Sequence, residues 1–182
     1  MAQIRLALAA LLLTAGAPFA DDPVEQVADA LYRGEAELRG NPHKLLDAAV
    51  ALDALGARPA GDGADAATEW RDRARRRGAR ERQQPNRGRA LGPAYRRGTL
   101  APGASYATAQ SFLAGQKAVI AIVPEPGQTL TMQVSAPDKQ ICAGGVPPPR
   151  AVCRWLPIFT TRVEIRITNT GKRAARYYLV SN

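Results

Sequence analysis

Histidine is nearly absent from this chain: His43 is the sole one in 182 residues. A Ser-His-Asp constellation would have to recruit it from the first turn of a predicted helix, where an exposed residue is the ordinary outcome. GxSxG, HExxH and the glycine-rich phosphate loop are missing as well. Two acid pairs, Asp47 with Asp53 and Glu35 with Glu37, miss the i, i+4 spacing and read as solvated helix faces. Aromatic residues make up 5% of the chain, so the expected core is aliphatic. After residue 20 no apolar run approaches the ~20 residues of a membrane-spanning helix. These shortages argue against an enzyme, and no cofactor is expected.

The start of the chain reads as a secretory leader. Arg5 is followed by the apolar residues 6–15 (LALAALLLTA) and by the small residues Gly16, Ala17 and Ala20. Cleavage after Ala20 is preferred, giving a signal peptide over residues 1–20. Cleavage after Ala17 fits Ala15-Gly16-Ala17 but leaves Pro18 first. With no cysteine near the cut, a lipoprotein anchor is not expected. The chain is placed in the periplasm or outside the cell. Its richness in Ala, Arg, Gly and Pro fits GC-rich bacterial coding. An exported chain with two cysteines reads as carrying one disulfide, Cys142–Cys153. Gly144-Gly145 and Pro147-Pro148-Pro149 let the intervening loop turn back, and closing it is worth roughly 2–3 kcal/mol in the chain-entropy account.

Residues 21–77 read as a helical region. Asp22-Pro23 is an N-cap followed by proline at the first helical position. Val24, Val27, Ala28, Leu31 and Leu38 share a stripe that Gly40 can end. Asn41-Pro42 repeats the start, with Leu45, Leu46, Ala49, Leu52 and Leu55 following and Gly56 stopping it. A short turn makes the two an αα-hairpin. A third helix, about residues 64–77, carries Trp70. The expected arrangement is a small helical pack with Trp70 as its plug; a peptide-binding repeat scaffold is the alternative, and no recurring period supports it.

Charge is unevenly distributed. Residues 21–70 hold eleven acids and four bases, whereas residues 71–97 hold eleven arginines against Asp72 and Glu81. That middle block alone equals the net charge of the whole chain, +9. Residues 78–97 are read as an Arg-rich flexible linker, too polar around residues 78–92 to offset the entropy of ordering. The arginines suit acidic surfaces: envelope glycans, lipid headgroups at a membrane surface reached through residues 71–97, or the acidic helical half of the same chain. Nucleic acid is not expected, since an exported chain meets little of it and no aromatics interleave for base stacking.

Residues 98–182 read as short strands. Residues 117–123 (KAVIAIV) are a Val- and Ile-rich run, and residues 129–134 alternate. Val163, Ile165 and Ile167 face opposite to Arg162, Glu164 and Arg166, the mark of a half-buried antiparallel strand. Residues 174–180 (AARYYLV) are aromatic and β-favouring. Turns fit at Pro124-Glu125-Pro126-Gly127 and Asn169-Thr170-Gly171-Lys172. The pattern predicts a β-sandwich or jelly-roll, so the whole chain is classed as α+β in two units: an N-terminal helical pack and a C-terminal antiparallel sandwich.

Over residues 98–182 the chain resembles the bacterial pre-peptidase C-terminal module. Gly98-Thr99-Leu100-Ala101-Pro102-Gly103, residues 112–119 (FLAGQKAV), residues 130–134 (LTMQV), residues 163–169 (VEIRITN) and Tyr178-Leu179 carry the resemblance. It implies an extracytoplasmic accessory module, often attached to secreted proteases. Some relatives bind calcium through clustered carboxylates. This stretch has only Glu125, Asp138 and Glu164, too few for the six to eight oxygens calcium takes, and no metal site is carried over. The expected function is therefore exported binding or accessory work, with the sandwich contacting a protein or an acidic envelope glycan. Attachment to acidic surfaces through the linker is the alternative. The candidate contact residues are Arg150, Arg154 and Trp155, expected to form a basic, aromatic-edged lip beside the disulfide. Trp155 with Tyr106, Tyr177 and Tyr178 is a candidate carbohydrate platform, against the reading that these aromatics fill or cover the sandwich core.

Overall fold

The structure, a computed structural model, describes residues 22–80 and 91–182. The leader with both cleavage positions and the centre of the Arg-rich linker lie outside the described residues.

Among the described residues, three capped helices come before the long sandwich strands. The Asp22 side chain accepts from the Val24 amide at 3.0 Å and starts α1 (Pro23–Ala36). The Asn41 side chain accepts from the His43 amide at 2.8 Å and starts α2 (Pro42–Ala54). Asp65 does the same for α3 (Ala66–Arg76), accepting from Ala67. Each cap satisfies an amide that has no partner inside its helix. The first helix ends before Gly40. The chain turns there because the Glu37 carboxylate accepts from the Asn41 amide at 2.7 Å, and Leu38 packs on the core from the turn.

Among the described residues, nine strands make two sheets. β1 (Arg58–Pro59), β2 (Ala94–Leu100), β9 (Ala175–Ser181), β4 (Ala118–Pro124) and β7 (Ala151–Trp155) form one, in the order β1-β2-β9-β4-β7. β3 (Ser105–Phe112), β8 (Thr161–Asn169), β5 (Leu130–Ser135) and β6 (Gln140–Gly145) form the other, in the order β3-β8-β5-β6. All pairings are antiparallel except β1 with β2. The α+β class and the sandwich hold. Residues 94–97, assigned to the linker by composition, are the first half of β2. Tyr95 there is buried while Arg96 is exposed, so the arginines conceal a strand that alternates. Ala79, at the other end of the linker stretch, is also buried.

The sandwich interior is mostly aliphatic, with Phe112 and Tyr177 among its buried residues. Ile120, Ile122, Leu130, Val134, Val163, Ile165 and Ile167 meet between the sheets. The outer face of the five-stranded sheet is covered too. Val119, Ala121 and Val123 of β4, with Tyr178 and Val180 of β9, join one core with Val24, Val27, Leu31, Leu45 and Leu52 of the helices. Every residue of β4 is therefore buried, which explains why it reads as a continuous apolar run instead of alternating. The molecule has three layers: helices, the five-stranded sheet, the four-stranded sheet.

Trp70 is the plug the sequence predicts, 1% exposed. Its ring lies on Gly34 of α1, where an added Cβ would fall 2.0 Å from Trp70 Cζ3. Glycine inside a helix ordinarily costs about 1 kcal/mol relative to alanine, so Gly34 is retained for this approach. Gly34→Ala should therefore destabilise by about 1–3 kcal/mol through overpacking and lower Tm by several degrees. Trp70→Phe in the same chain should lessen that effect. Differential scanning calorimetry of the single and double variants checks it; a raised Tm for Gly34→Ala would contradict the packing.

Candidate functional site

The three residues expected to form a lip do not share one. Neighbours on a strand point to opposite faces. On β7, Cys153 and Trp155 join the core between the sheets, while Arg154 turns to the helices and donates from Nε to Glu25 at 2.9 Å. Arg150, just before β7, also reaches α1, pairing with Glu25 at 3.1 Å and with Asp29. Trp155 is partly buried, its ring edge-on to Phe112 with centroids 4.7 Å apart. The two guanidinium groups are thus engaged with α1, and the basic, aromatic-edged surface is not assembled at these positions. Cys142 and Cys153 are bonded, with Cα atoms 6.0 Å apart. The bond joins β6 to β7, the edge strands of the two sheets, and such a bond belongs to an oxidising compartment.

The Glu25 contact is one of a series that ties the acidic helices to the basic sandwich. Burial alone would raise the Glu25 carboxyl; the guanidinium groups of Arg154 and Arg150 outweigh it and hold the group below the usual carboxylate range. Arg97 of β2 makes a two-point pair with Glu69 of α3, at 2.8 and 3.1 Å. The Tyr95 hydroxyl accepts from the Ala66 amide at 2.8 Å and donates to Asp65 at 3.0 Å. Lys117 pairs with Asp22 at 3.0 Å. Glu35 is buried in α1 and accepts from the Tyr178 hydroxyl at 2.9 Å, while its second oxygen has no partner among the described residues. Burial raises the Glu35 carboxyl, more than the hydrogen bond from Tyr178 lowers it. The Tyr178 phenol is raised as well, first by burial and then by the carboxylate beside it.

The other sequence candidates fall apart in space. Tyr106 and Tyr177 lie tilted to each other, ring centroids 6.2 Å apart, against the core between the sheets. Tyr178 faces the helices edge-on to Tyr95 at 6.0 Å. With Trp155 packed on Phe112, these aromatics occupy separate layers and present no common platform. His43 is exposed in the first turn of α2. Asp53 pairs with Arg71, Glu37 with Lys44 at 3.7 Å, Glu125 with Arg176 and Glu164 with Arg166 at 2.7 Å. A cleft of about 530 Å³ runs over Pro59, Gly61, Asp62, Tyr95 and Arg97, but the Tyr95 hydroxyl and Arg97 are already engaged as above.

A different surface stands out. Between β7 and β8 the chain reads Leu156-Pro157-Ile158-Phe159-Thr160, and Leu156, Ile158 and Phe159 are 64%, 79% and 76% exposed. The turn between β3 and β4 lies against it, with Leu113 54% exposed. The two loops are stitched together: the Gly115 amide donates to the Pro157 carbonyl at 2.8 Å, and the Ala114 amide to the Thr160 hydroxyl at 3.2 Å. Four large apolar side chains therefore share one tip of the sandwich. Sequence reasoning passed over it by concentrating on the neighbouring Trp155 and its arginines. The available signal was an apolar run broken by proline between two predicted strands, a place where polar residues are normal.

The sequence matches no protein-family model and none of the curated proteins. Solved structures similar to it cover about half of the chain. One is the pre-peptidase C-terminal domain of a collagenase from Bacillus anthracis, 13% identical, covering 48% of this chain and 87% of that domain with a TM-score of 0.41. Another is PliG of Aeromonas hydrophila, a periplasmic inhibitor of g-type lysozyme, 12% identical over 50% of this chain and 84% of that one, TM-score 0.38. The likeness spans about half of the chain, as does the sequence resemblance to pre-peptidase C-terminal modules, and it is a likeness of fold.

The Glu35 environment has a signed consequence. A carboxyl raised on folding stabilises the fold below its unfolded pKa and loses that contribution as pH rises through the folded value. Glu35→Gln keeps an acceptor for Tyr178 and removes the ionisation. The variant should melt close to the parent near pH 4 and above it at pH 8, measured by thermal denaturation across that range. A stability difference that does not change with pH would show that Glu35 is not held in this way.

Proposed function

We propose that the protein is an exported, non-catalytic binding protein whose β-sandwich meets its partner through the apolar tip formed by Leu113, Leu156, Ile158 and Phe159. The observation that carries this reading is their exposure, 54–79%, on two loops that brace each other. Contiguous apolar surface kept in water is characteristic of contact sites. Export is supported by the leader-like start and by the disulfide. A non-catalytic role is supported by the sole histidine standing alone on α2 and by the ion pairs that engage Glu25, Asp29, Glu69 and Glu125. A glycan is the less suitable partner for this tip, because saccharide platforms need flat aromatic faces and the chain's tyrosines and Trp155 pack inward.

The alternative is attachment to acidic surfaces through residues 71–97. Part of that stretch is turned inward: Arg71 pairs with Asp53, Arg77 donates to the carbonyls of Leu38 and Gly40, and Arg97 pairs with Glu69. Docking of these arginines on the acidic helical half favours the tip as the outward contact.

Burying an isoleucine and a phenylalanine is worth about 1.5–3 kcal/mol each. Ile158→Asp with Phe159→Asp should weaken association with a cell-envelope fraction more than tenfold while leaving Tm nearly unchanged. Replacing Arg73, Arg76 and Arg80 by Gln should have a much smaller effect. Association that survives the tip variant and collapses with the arginine variant would replace this reading with the alternative.

A further inference from the structure

We infer that the surface which receives the apolar tip is an anionic lipid bilayer; the inference rests on the tip being the contact site proposed above. Three observations point to lipid in preference to a protein groove.

The first is that part of the tip's backbone is bonded within the tip. An apolar medium penalises peptide groups without partners. Here the Ala114 and Gly115 amides are bonded within the tip, and the Phe159 carbonyl accepts from the Thr161 hydroxyl at 2.9 Å. These groups can leave water without losing their bonds. The second is the scarcity of directional chemistry. Leu113, Ala114, Gly115, Leu156, Pro157, Ile158 and Phe159 carry no side-chain donor or acceptor, the Thr160 hydroxyl already accepts from Ala114, and the exposed amide side chain beside them is that of Gln116, next to Lys117. A protein interface ordinarily places hydrogen bonds around its apolar centre; a bilayer interior asks for none.

The third is charge. Residues 112–117 and 155–162 contain no acid. Arg162 is exposed directly after the tip and, among the described residues, carries no ion pair. Lys117 stands at the other end of the turn, 59% exposed although paired with Asp22. Long cationic side chains at the base of an apolar protrusion reach headgroups while their stems lie on the acyl boundary. Each cation near an anionic leaflet adds attraction that salt screens, and the net charge of +9 adds to it at longer range.

The test uses the full mature chain with phosphatidylglycerol–phosphatidylcholine vesicles and pure phosphatidylcholine vesicles, read by co-sedimentation and by tryptophan emission. The chain has two tryptophans. Trp70 is enclosed among the helices, whereas Trp155 adjoins Leu156 and is partly exposed, so an emission shift reports on the tip. Binding to the anionic vesicles, a blue shift and a loss of more than tenfold in Ile158→Asp/Phe159→Asp are expected. Lys117→Gln/Arg162→Gln should weaken binding about fivefold or more at low salt and leave Tm unchanged. Absence of vesicle binding, or binding that the Asp variant retains, overturns the lipid inference. If the envelope fraction then still binds in a tip-dependent way, the contact reading stands with a protein as the partner. If the tip variant binds that fraction as the parent does, the contact reading falls as well.

Discussion

The strand β4 has no face that can meet water. Ala118, Ile120 and Ile122 pack between the sheets, and Val119, Ala121 and Val123 pack under the helices. At on the order of 1.5–3 kcal/mol for burying a large aliphatic side chain, exposing the helix-facing set would remove a large share of what holds a domain of this size. The helices therefore belong to the fold as a third layer. They also contribute β1, which extends the five-stranded sheet beyond β2 in parallel. What composition separates into a helical unit and a sandwich is joined through one shared core.

The opposite charges of the two halves follow from the same arrangement. Acids gather on the helical half because its partners are cationic: Glu25 and Asp29 meet Arg150 and Arg154, Glu69 meets Arg97, and Asp22 meets Lys117. Exposed pairs of this kind contribute little individually. Glu25 is different, because it is buried and takes two guanidinium groups; removing either partner would leave charge in a place that water reaches poorly. Such contacts fix how the helices sit over the sheet, and apolar burial supplies most of the stability. Glu35 is the exception to the pairing. It lies deeper, meets a phenol instead of a cation, and carries an oxygen with no partner among the described residues.

The division of side chains in the sandwich is the reverse of what amphipathic patterning leads one to expect. Trp155, Tyr106 and Tyr177, which have polar atoms, are drawn into or against the core, while Leu156, Ile158 and Phe159, which have none, stand in water.

Local chemistry was enough to predict the helix starts, since an N-cap followed by proline acts within one turn, and to predict Val163, Ile165 and Ile167 as an inward face, since alternation along a strand is a property of the strand itself. The two cysteines likewise announced their bond by number, given the leader-like start and the oxidation of thiols in an exported chain. Three matters depended on the tertiary structure. Residues 94–97 looked like linker because charge counts hide alternation; Tyr95 becomes a core residue only once α3 presents Asp65 and Ala66 to its hydroxyl. Arg150 and Arg154 looked like a free basic surface because nothing local reveals that α1, some 120 residues earlier in the chain, lies over β7. The apolar tip was written in the sequence as Leu156-Pro157-Ile158-Phe159, yet an apolar run is as consistent with a buried segment as with an exposed one. Sequence determines which side chains avoid water; only the packing of the layers decides which of them succeed.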